Sequence, residues 1–294
     1  MNTAERISKV IRKSFIRQAE EMKFNRPVVA LSGGVDSCAV LASLMEVGLK
    51  PVIVSYTPST HESTDFQMAR QTAENLGLPF VPCIVSMSEA NLDHLARVVI
   101  NHGYHSKVQV ESMTPMVEIG RAAKQVGGNV LLTGDQSDGY FCLSRWAAFA
   151  YDKYMGVPTE EIVYKVKDDA TSDRIDGIRK RYYENDKSCS EAIRYVLADV
   201  FELNTLFPFR DKAIYNSFNG SMWKEINKPR VKEPIRLAFS DWFGKNKIWV
   251  RNIQVNLHKG DSHYGDDFAE ILLGKYPQYN SGRGLYSAIH RGEV

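Results

Sequence analysis

The segment that most constrains the fold of this 294-residue chain is a short apolar run, residues 28–31, that ends in the hexapeptide SGGVDS at residues 32–37. A helical pattern follows over residues 38–47 and stops at Gly48, so the local order is strand, glycine turn, helix. Two adjacent glycines adopt backbone angles that other residues avoid, which lets main-chain N–H groups converge on an anion at the start of a helix. This segment therefore predicts a phosphate-binding loop in a layered α/β protein.

Strands and helices alternate along the first half of the chain. The predicted strands cover residues 28–31, 51–56, 80–85 and 129–133, and the predicted helices cover residues 4–22, 38–47, 64–76, 88–101 and 116–125. Because parallel strands need crossover connections, which helices usually supply, this order predicts a doubly wound parallel α/β sheet covered by helices on both faces. After residue 141 the pattern is mostly helical, with no further strong strand signal.

The same patterns suggest three parts within the chain. We expect an N-terminal helix over residues 1–24, an α/β core over residues 25–150 that carries the glycine loop, and a mostly helical part over residues 151–294 that completes the same domain. No internal repeat or low-complexity tract interrupts this order.

Bulk composition restricts the partners of the chain. Its 37 Lys and Arg nearly balance its 35 Asp and Glu, for a net charge of +2, so no global basic field favours nucleic acid. The four cysteines show neither a CxxC pair nor zinc-site spacing, as is typical of reduced thiols. Residues 1–23 lack the apolar core of a signal peptide, and no apolar run approaches the length of a membrane span. We therefore expect a cytoplasmic protein with no membrane partner.

Two acidic segments follow predicted strands. Asp36 lies inside the glycine loop, where a carboxylate alone would repel phosphate, so it makes physical sense mainly as a magnesium ligand. The segment GDQSD, residues 134–138, follows the strand at 129–133. Ligands of parallel sheets collect at the carboxyl ends of the strands, where both segments are expected to lie. The loop lacks the lysine of a Walker motif and the three spaced glycines of a dinucleotide motif, so it predicts a different kind of nucleotide site.

These motifs resemble those of one enzyme superfamily. The SGGVDS loop after an apolar strand resembles the pyrophosphate loop (PP-loop) of the N-type ATP pyrophosphatases, the family of asparagine, GMP and NAD synthetases. The segment LLTGDQSD at 131–138 is similar to the asparagine synthetase stretch that ends in Gly-Glu-Gly-Ser-Asp. Weaker similarities at 206–211 (LFPFRD) and 234–239 (PIRLAF) point to the synthetase domain of the asparagine and β-lactam synthetase group. The implied fold is adenine nucleotide α-hydrolase-like.

The resemblance implies an activity and a set of site residues. A small-molecule carboxylate would attack the α-phosphorus of ATP and release pyrophosphate, and ammonia or an amine would then displace AMP. The implied nucleotide site comprises Leu31, Ser32, Gly33, Gly34, Asp36, Ser37, Ser55, Gly134 and Asp135. Asp36 and Asp138 would serve in catalysis as the ligands of Mg²⁺.

The chain departs from the family pattern in two places. The family has a catalytic lysine six residues before a C-terminal loop glycine, and counting back from Gly260 places the neutral Gln254 there. Lys259 or Arg251 would then supply the cation, unless the register or the second half-reaction differs. Glutamine-dependent relatives begin with a glutaminase whose nucleophile is an N-terminal cysteine, whereas Asn2 follows Met1 here. We therefore expect free ammonia, a separate glutaminase, or an amine already on the substrate as the nitrogen source.

Two other functions stay open at this level. A PP-loop enzyme could instead adenylate a nucleobase or tRNA, with phosphates meeting a basic cluster formed by Arg174, Arg179, Lys180 and Arg181. Acidic residues are interspersed with these cations, which is more typical of a solvated helix face. A degenerate ATP-binding scaffold would account for Gln254, but the retained Asp36 and Asp138 are evidence against it.

Overall fold

Five parallel strands form the centre of the computed structural model, which describes residues 1–23, 25–166, 168, 170–184, 189–248, 250 and 263–294. The strands are β1 Pro27–Ala30, β2 Val52–Pro58, β3 Phe80–Val85, β4 Val130–Leu132 and β5 Asn204–Leu206. Their order in the sheet is β3-β2-β1-β4-β5, and every pairing is parallel. The predicted doubly wound parallel α/β fold is therefore confirmed.

Helices connect and cover these strands. They are α1 Thr3–Glu21, α2 Val35–Glu46, α3 Thr64–Leu76, α4 Glu89–Asn101, α5 Lys107–Gln125, α6 Ser137–Tyr140, α7 Arg145–Tyr154, α8 Ser172–Glu184, α9 Cys189–Phe201, α10 Lys212–Ser217, α11 Trp223–Asn227, α12 Glu233–Ala238, α13 Ser240–Lys245, α14 Tyr264–Lys275 and α15 Gly282–His290. Polar caps start several of them, as where the Ser63 side chain accepts a hydrogen bond from Phe66 N–H in α3. Within the described residues, no helix is long and apolar enough to cross a bilayer.

Alternate strand residues supply two hydrophobic cores, one on each face of the sheet. Val29, Ile53 and Leu132 point into the core formed with α1, α2, α7, α8 and α12. Their neighbours Val28, Val54 and Leu131 point into the core formed with α4, α5, α9, α14 and α15. This alternation follows from the two-residue period of a strand, and burial on both faces explains why these strands are apolar throughout.

The N-terminal helix α1 supports the part of the fold that carries the functional site. Its Ile7, Ile11 and Phe15 are almost completely buried, as the helical spacing predicts. The helix packs against α2 and α12, and the Phe15 ring lies 6.0 Å from the Phe239 ring at the end of α12. Arg12 also donates a hydrogen bond of 3.0 Å to the carbonyl of Ala238. Thus α1 holds together the glycine-loop helix and a helix from the C-terminal half.

Two elements differ from the sequence predictions. The sequence has no strong strand signal after residue 141, yet β5 lies there and pairs in parallel with β4, because three residues are too few to show a period. Helix α5 also begins at Lys107 rather than near residue 116, and it continues through Pro115. A proline usually marks a helix boundary since it lacks an N–H, but the capping box at Ser106 and the packing of α5 maintain the helix here.

Candidate active site

The glycine loop makes a tight turn from β1 into α2. Gly33 has a φ of +69°, and a Cβ added there would meet the Met68 side chain at 2.7 Å, so both conformation and space require glycine. Gly34 is the N-cap residue of α2. The Ser37 hydroxyl donates to the Gly34 carbonyl at 3.2 Å and accepts from the Ser32 N–H at 3.3 Å, which closes the turn. The positive end of the α2 dipole therefore adjoins the loop.

The segment after β4 lies directly against this loop. A Cβ on Gly134 would come within 2.4 Å of the Ser37 nitrogen and 2.8 Å of the Asp36 Cβ, so the two backbones can approach only because residue 134 is glycine. This approach brings Asp135, Ser137 and Asp138 beside Asp36. The structure thus joins the two acidic segments that the sequence placed at neighbouring strand ends.

A buried lysine from the C-terminal half connects these segments. The Lys232 Nζ forms an ion pair with Asp36, lies 2.6 Å from Asp138 Oδ1, and donates a hydrogen bond of 2.9 Å to the Ser137 hydroxyl. We call these four residues the lysine–carboxylate cluster. Only 6% of the Lys232 side chain is exposed. Burial alone would favour the neutral amine, but the attraction of Asp138 and Asp36 outweighs it and raises the pKa of Lys232.

The two carboxylates of the cluster share this cation. Burial raises the pKa of Asp36, Lys232 offsets part of that effect, and the nearby Asp138 raises the pKa further because like charges repel. Oδ1 of Asp36 is buried and has no hydrogen-bond partner among the described residues. A buried carboxylate oxygen without a donor is costly unless a ligand completes it, so Asp36 has an oxygen available for a cation.

These observations bear on the predicted magnesium site. Among the described residues, no group of three or more His, Cys, Asp and Glu side chains could hold a metal ion. Asp36 and Asp138 already face a common cation, and Asp36 Oδ1 has no hydrogen-bond partner among the described residues. This arrangement suits a Mg²⁺ ion that takes its remaining ligands from water and phosphate. Asp138 does not cap a helix, since Gln136 is the N-cap residue of α6.

Asp135 lies at the rim of the same site. Its carboxylate accepts a hydrogen bond of 2.9 Å from the Thr133 hydroxyl. The residue as a whole is exposed, yet the protein around its carboxylate removes enough water to raise the pKa of Asp135. The hydrogen bond from Thr133 partly offsets this effect, and the charges of Asp138 and Asp36 add to it.

Leu31 and Ser55, two residues of the implied nucleotide site, lie directly after β1 and in the middle of β2. Leu31 is 2% exposed, its side chain belongs to the α1-side core, and its N–H donates to the Val54 carbonyl at 3.0 Å. Ser55 is 4% exposed, and the adjacent Tyr56 ring packs 5.9 Å from Tyr264 at the start of α14. Contact between these residues and the nucleotide stays a prediction.

Sequence reasoning missed Lys232, although Asn227 and the local backbone direct it into the site. Lys232 has a left-handed φ of 60°, and its N–H donates to Asn227 Oδ1 at 3.2 Å. The Asn227 amide donates in turn to the carbonyls of Phe141, at 3.0 Å, and Trp223, at 3.2 Å. The single sequence signal for Lys232 was its position just before the PIRLAF segment.

The other residues discussed from the sequence divide into two groups. Arg251, Gln254 and Lys259 lie outside the described residues, so their roles stay predictions. Arg179, one of the cations assigned to nucleic acid in the alternative function, is buried and donates to the carbonyls of Tyr140, Phe218 and Ser221. Arg174, another of them, pairs with Asp152. The guanidinium groups of Arg179 and Arg174 therefore bind partners inside the protein.

Comparisons with known proteins agree with these motifs. The family model for asparagine synthase matches residues 9–190, well over half of the chain, including the glycine loop and Asp138. Among solved structures, NMN synthetase from Francisella tularensis is 15% identical, with 85% of this chain and 98% of that chain covered at a TM-score of 0.34, which is too low to bear on function. No curated protein matches. By its family model, the chain belongs to the asparagine synthase family of ATP-using synthetases.

Proposed function

We propose that this protein is an ATP-dependent amide ligase that forms AMP and pyrophosphate. It would adenylate a small-molecule carboxylate and transfer the acyl group to ammonia or an amine. The observation that supports this proposal is the lysine–carboxylate cluster beside the glycine loop, where a buried cation and two acids adjoin the glycine turn.

Each part of the site has a task in this reaction. The N–H groups of the glycine loop, the hydroxyls of Ser32 and Ser37 and the positive end of α2 would bind the pyrophosphate portion of ATP. Lys232 would add a full positive charge close to these phosphates. Asp36 and Asp138 would hold Mg²⁺, which neutralises charge on the departing pyrophosphate.

The chemistry proceeds in two balanced steps. An oxygen of the substrate carboxylate bonds to the α-phosphorus of ATP, the bond from that phosphorus to the bridging oxygen breaks, and its electron pair leaves with pyrophosphate. The amine nitrogen then bonds to the acyl carbon, the acyl–oxygen bond breaks, and AMP departs. The amine loses one proton in this second step. Asp135, whose pKa is raised beside the cluster, is suited to accept it.

Product analysis tests this proposal. The protein would be incubated with ATP, Mg²⁺, ammonia and pools of small carboxylates, and AMP and pyrophosphate would be quantified. We expect equal amounts of both products, dependent on one carboxylate class. Formation of ADP and phosphate, or of AMP only with RNA or a nucleobase, would contradict the amide-ligase assignment.

A matched pair of variants connects the activity to the site. Asp36→Asn should abolish pyrophosphate release because it removes one carboxylate of the cluster. Asp168→Asn removes an aspartate that pairs with Lys228 in an exposed ion pair of 2.7 Å, and should leave the rate unchanged. Equal rates for Asp36→Asn and wild type would refute the assignment of Asp36.

The nitrogen source forms part of the same proposal. We propose free ammonia, a separate glutaminase or an amine on the substrate. Assays with ammonium, with glutamine plus a purified glutaminase, and with amine-bearing carboxylates would distinguish the three. Activity with glutamine alone would contradict this proposal.

A further inference from the structure

The ammonium of Lys232 occupies the space between the two carboxylates that we assign to magnesium. An ammonium has three N–H donors, and the acceptors around it are Asp36, Asp138 and Ser137. The ammonium donates hydrogen bonds to Asp36 and Ser137 and forms an ion pair with Asp138. In this arrangement Lys232 is the counter-ion of both acids.

A divalent cation that entered this arrangement would meet a fixed positive charge. Lys232 and Mg²⁺ together would place three positive charges against the two negative charges of Asp36 and Asp138 in a largely buried site. Like charges a few ångströms apart repel strongly where little water screens them. The free metal therefore has to displace the ammonium or bind weakly beside it.

The backbone around Lys232 limits how the ammonium can move. Asn227 binds the Lys232 N–H and the carbonyls of Phe141 and Trp223, so it attaches the start of α12 to the segment that follows α6. The Lys232 side chain, with its rotatable carbon chain, is therefore the part free to change position. A short swing would carry the ammonium toward phosphates bound at the adjacent glycine loop.

If Lys232 served only in a structural ion pair, the cluster would not need a second carboxylate. One buried lysine needs one carboxylate for neutrality, whereas the cluster supplies two acids, and Asp36 Oδ1 is buried with no hydrogen-bond partner in the part of the chain that the structure describes. The surplus negative charge and the bare oxygen both indicate that a further cation belongs in the site.

We propose that Lys232 makes the site select magnesium together with nucleotide over free magnesium. Without nucleotide, Lys232 pairs with both Asp36 and Asp138, and when nucleotide and metal bind together, its ammonium would move to phosphate and leave the two carboxylates to hold the metal. This inference rests on the proposed function, because it takes the glycine loop as the phosphate site. It predicts that metal and nucleotide bind with positive coupling, and that Lys232 is its source.

Direct binding measurements test the coupling without turnover. Free Mn²⁺ would be measured by its paramagnetic resonance signal, with and without α,β-methylene-ATP, which cannot be cleaved between the α and β phosphates. For wild type we expect weak binding of Mn²⁺ alone and an affinity about tenfold or more higher with the nucleotide. Equal Mn²⁺ affinity in the two conditions would overturn the inference with no variant needed.

A substitution locates the origin of the effect. Lys232→Met should raise the affinity for Mn²⁺ alone by about tenfold and reduce the coupling, because two uncompensated carboxylates remain. Lys228→Met, in the same segment but at an exposed ion pair, should behave as wild type. Wild-type values for Lys232→Met, with folding verified by circular dichroism, would refute the role of Lys232.

The two proposals fail in different ways. A protein that couples Mn²⁺ to nucleotide but never releases AMP would refute the amide ligase and support this inference. A protein that releases AMP and pyrophosphate but binds Mn²⁺ independently of nucleotide would support the ligase and refute the inference.

Discussion

Gly134→Ala should separate the two halves of the active site. A Cβ at this position would lie 2.4 Å from the Ser37 nitrogen and 2.7 Å from the Asp36 carbonyl carbon, both backbone atoms of the glycine loop. Ordinary contact begins near 3.4 Å, so the segments must part by about 1 Å. Gly134 has no positive φ, which means that the effect comes from this close approach and not from backbone strain.

The expected effects follow from that displacement. Overpacking of this kind costs about 1–3 kcal/mol of unfolding free energy. For a chain of this size the cost corresponds to a melting temperature lower by about 2–10 °C. A displacement of about 1 Å between catalytic groups can lower a rate by about 100-fold. We therefore expect a modest loss of stability and a large loss of AMP formation, measured by thermal unfolding and product quantification.

A second glycine supplies the control. Gly274 lies in α14, is exposed, and a Cβ added there would meet nothing within 4 Å. Gly274→Ala should therefore stabilise the protein by about 0.5–1 kcal/mol, because alanine is the better helix former, and should leave AMP formation unchanged. If Gly134→Ala kept the wild-type melting temperature and rate, the close contact between the loops would not exist in solution.

Two further predictions concern residues around the site and at the surface. Asn227→Ala should raise the KM for ATP more than it lowers kcat, and it should cost about 1–2 kcal/mol of stability, because it frees the Lys232 backbone. Steady-state kinetics and urea unfolding would measure these two effects. An unchanged KM would count against the anchoring role of Asn227. Burial disfavours the charged form of Asp93, but hydrogen bonds from Lys275, Tyr276 and Arg97 outweigh it and lower the pKa of Asp93 below 3.8. The stability that ionised Asp93 contributes is complete above its ordinary pKa and is lost as the pH falls through its lower pKa in the folded protein. Wild type should therefore lose stability more steeply below about pH 4 than Asp93→Asn. Equal slopes of unfolding free energy against pH, in urea unfolding from pH 6 to 3, would exclude this contribution.

Local sequence determined the first four strands and the glycine loop. The apolar run before the glycines, the glycine pair and the helical pattern after them predict β1, the turn and α2, because each depends on neighbours a few residues away. The rule that ligands collect at the carboxyl ends of parallel strands also placed Asp36 near Asp138. Backbone geometry and periodicity are properties of short segments, so they can be read from one chain.

Only the tertiary structure decided which distant groups complete the site. Lys232 lies 196 residues from Asp36 along the chain, and it reaches the carboxylates because α1 packs against both α2 and α12 and because Asn227 holds the start of α12. The three-residue β5 forms because β4 offers it a partner, and Gly134 is essential because Ser37 lies against it. Such contacts depend on the packing of whole elements, and neither composition nor periodicity records which elements will meet.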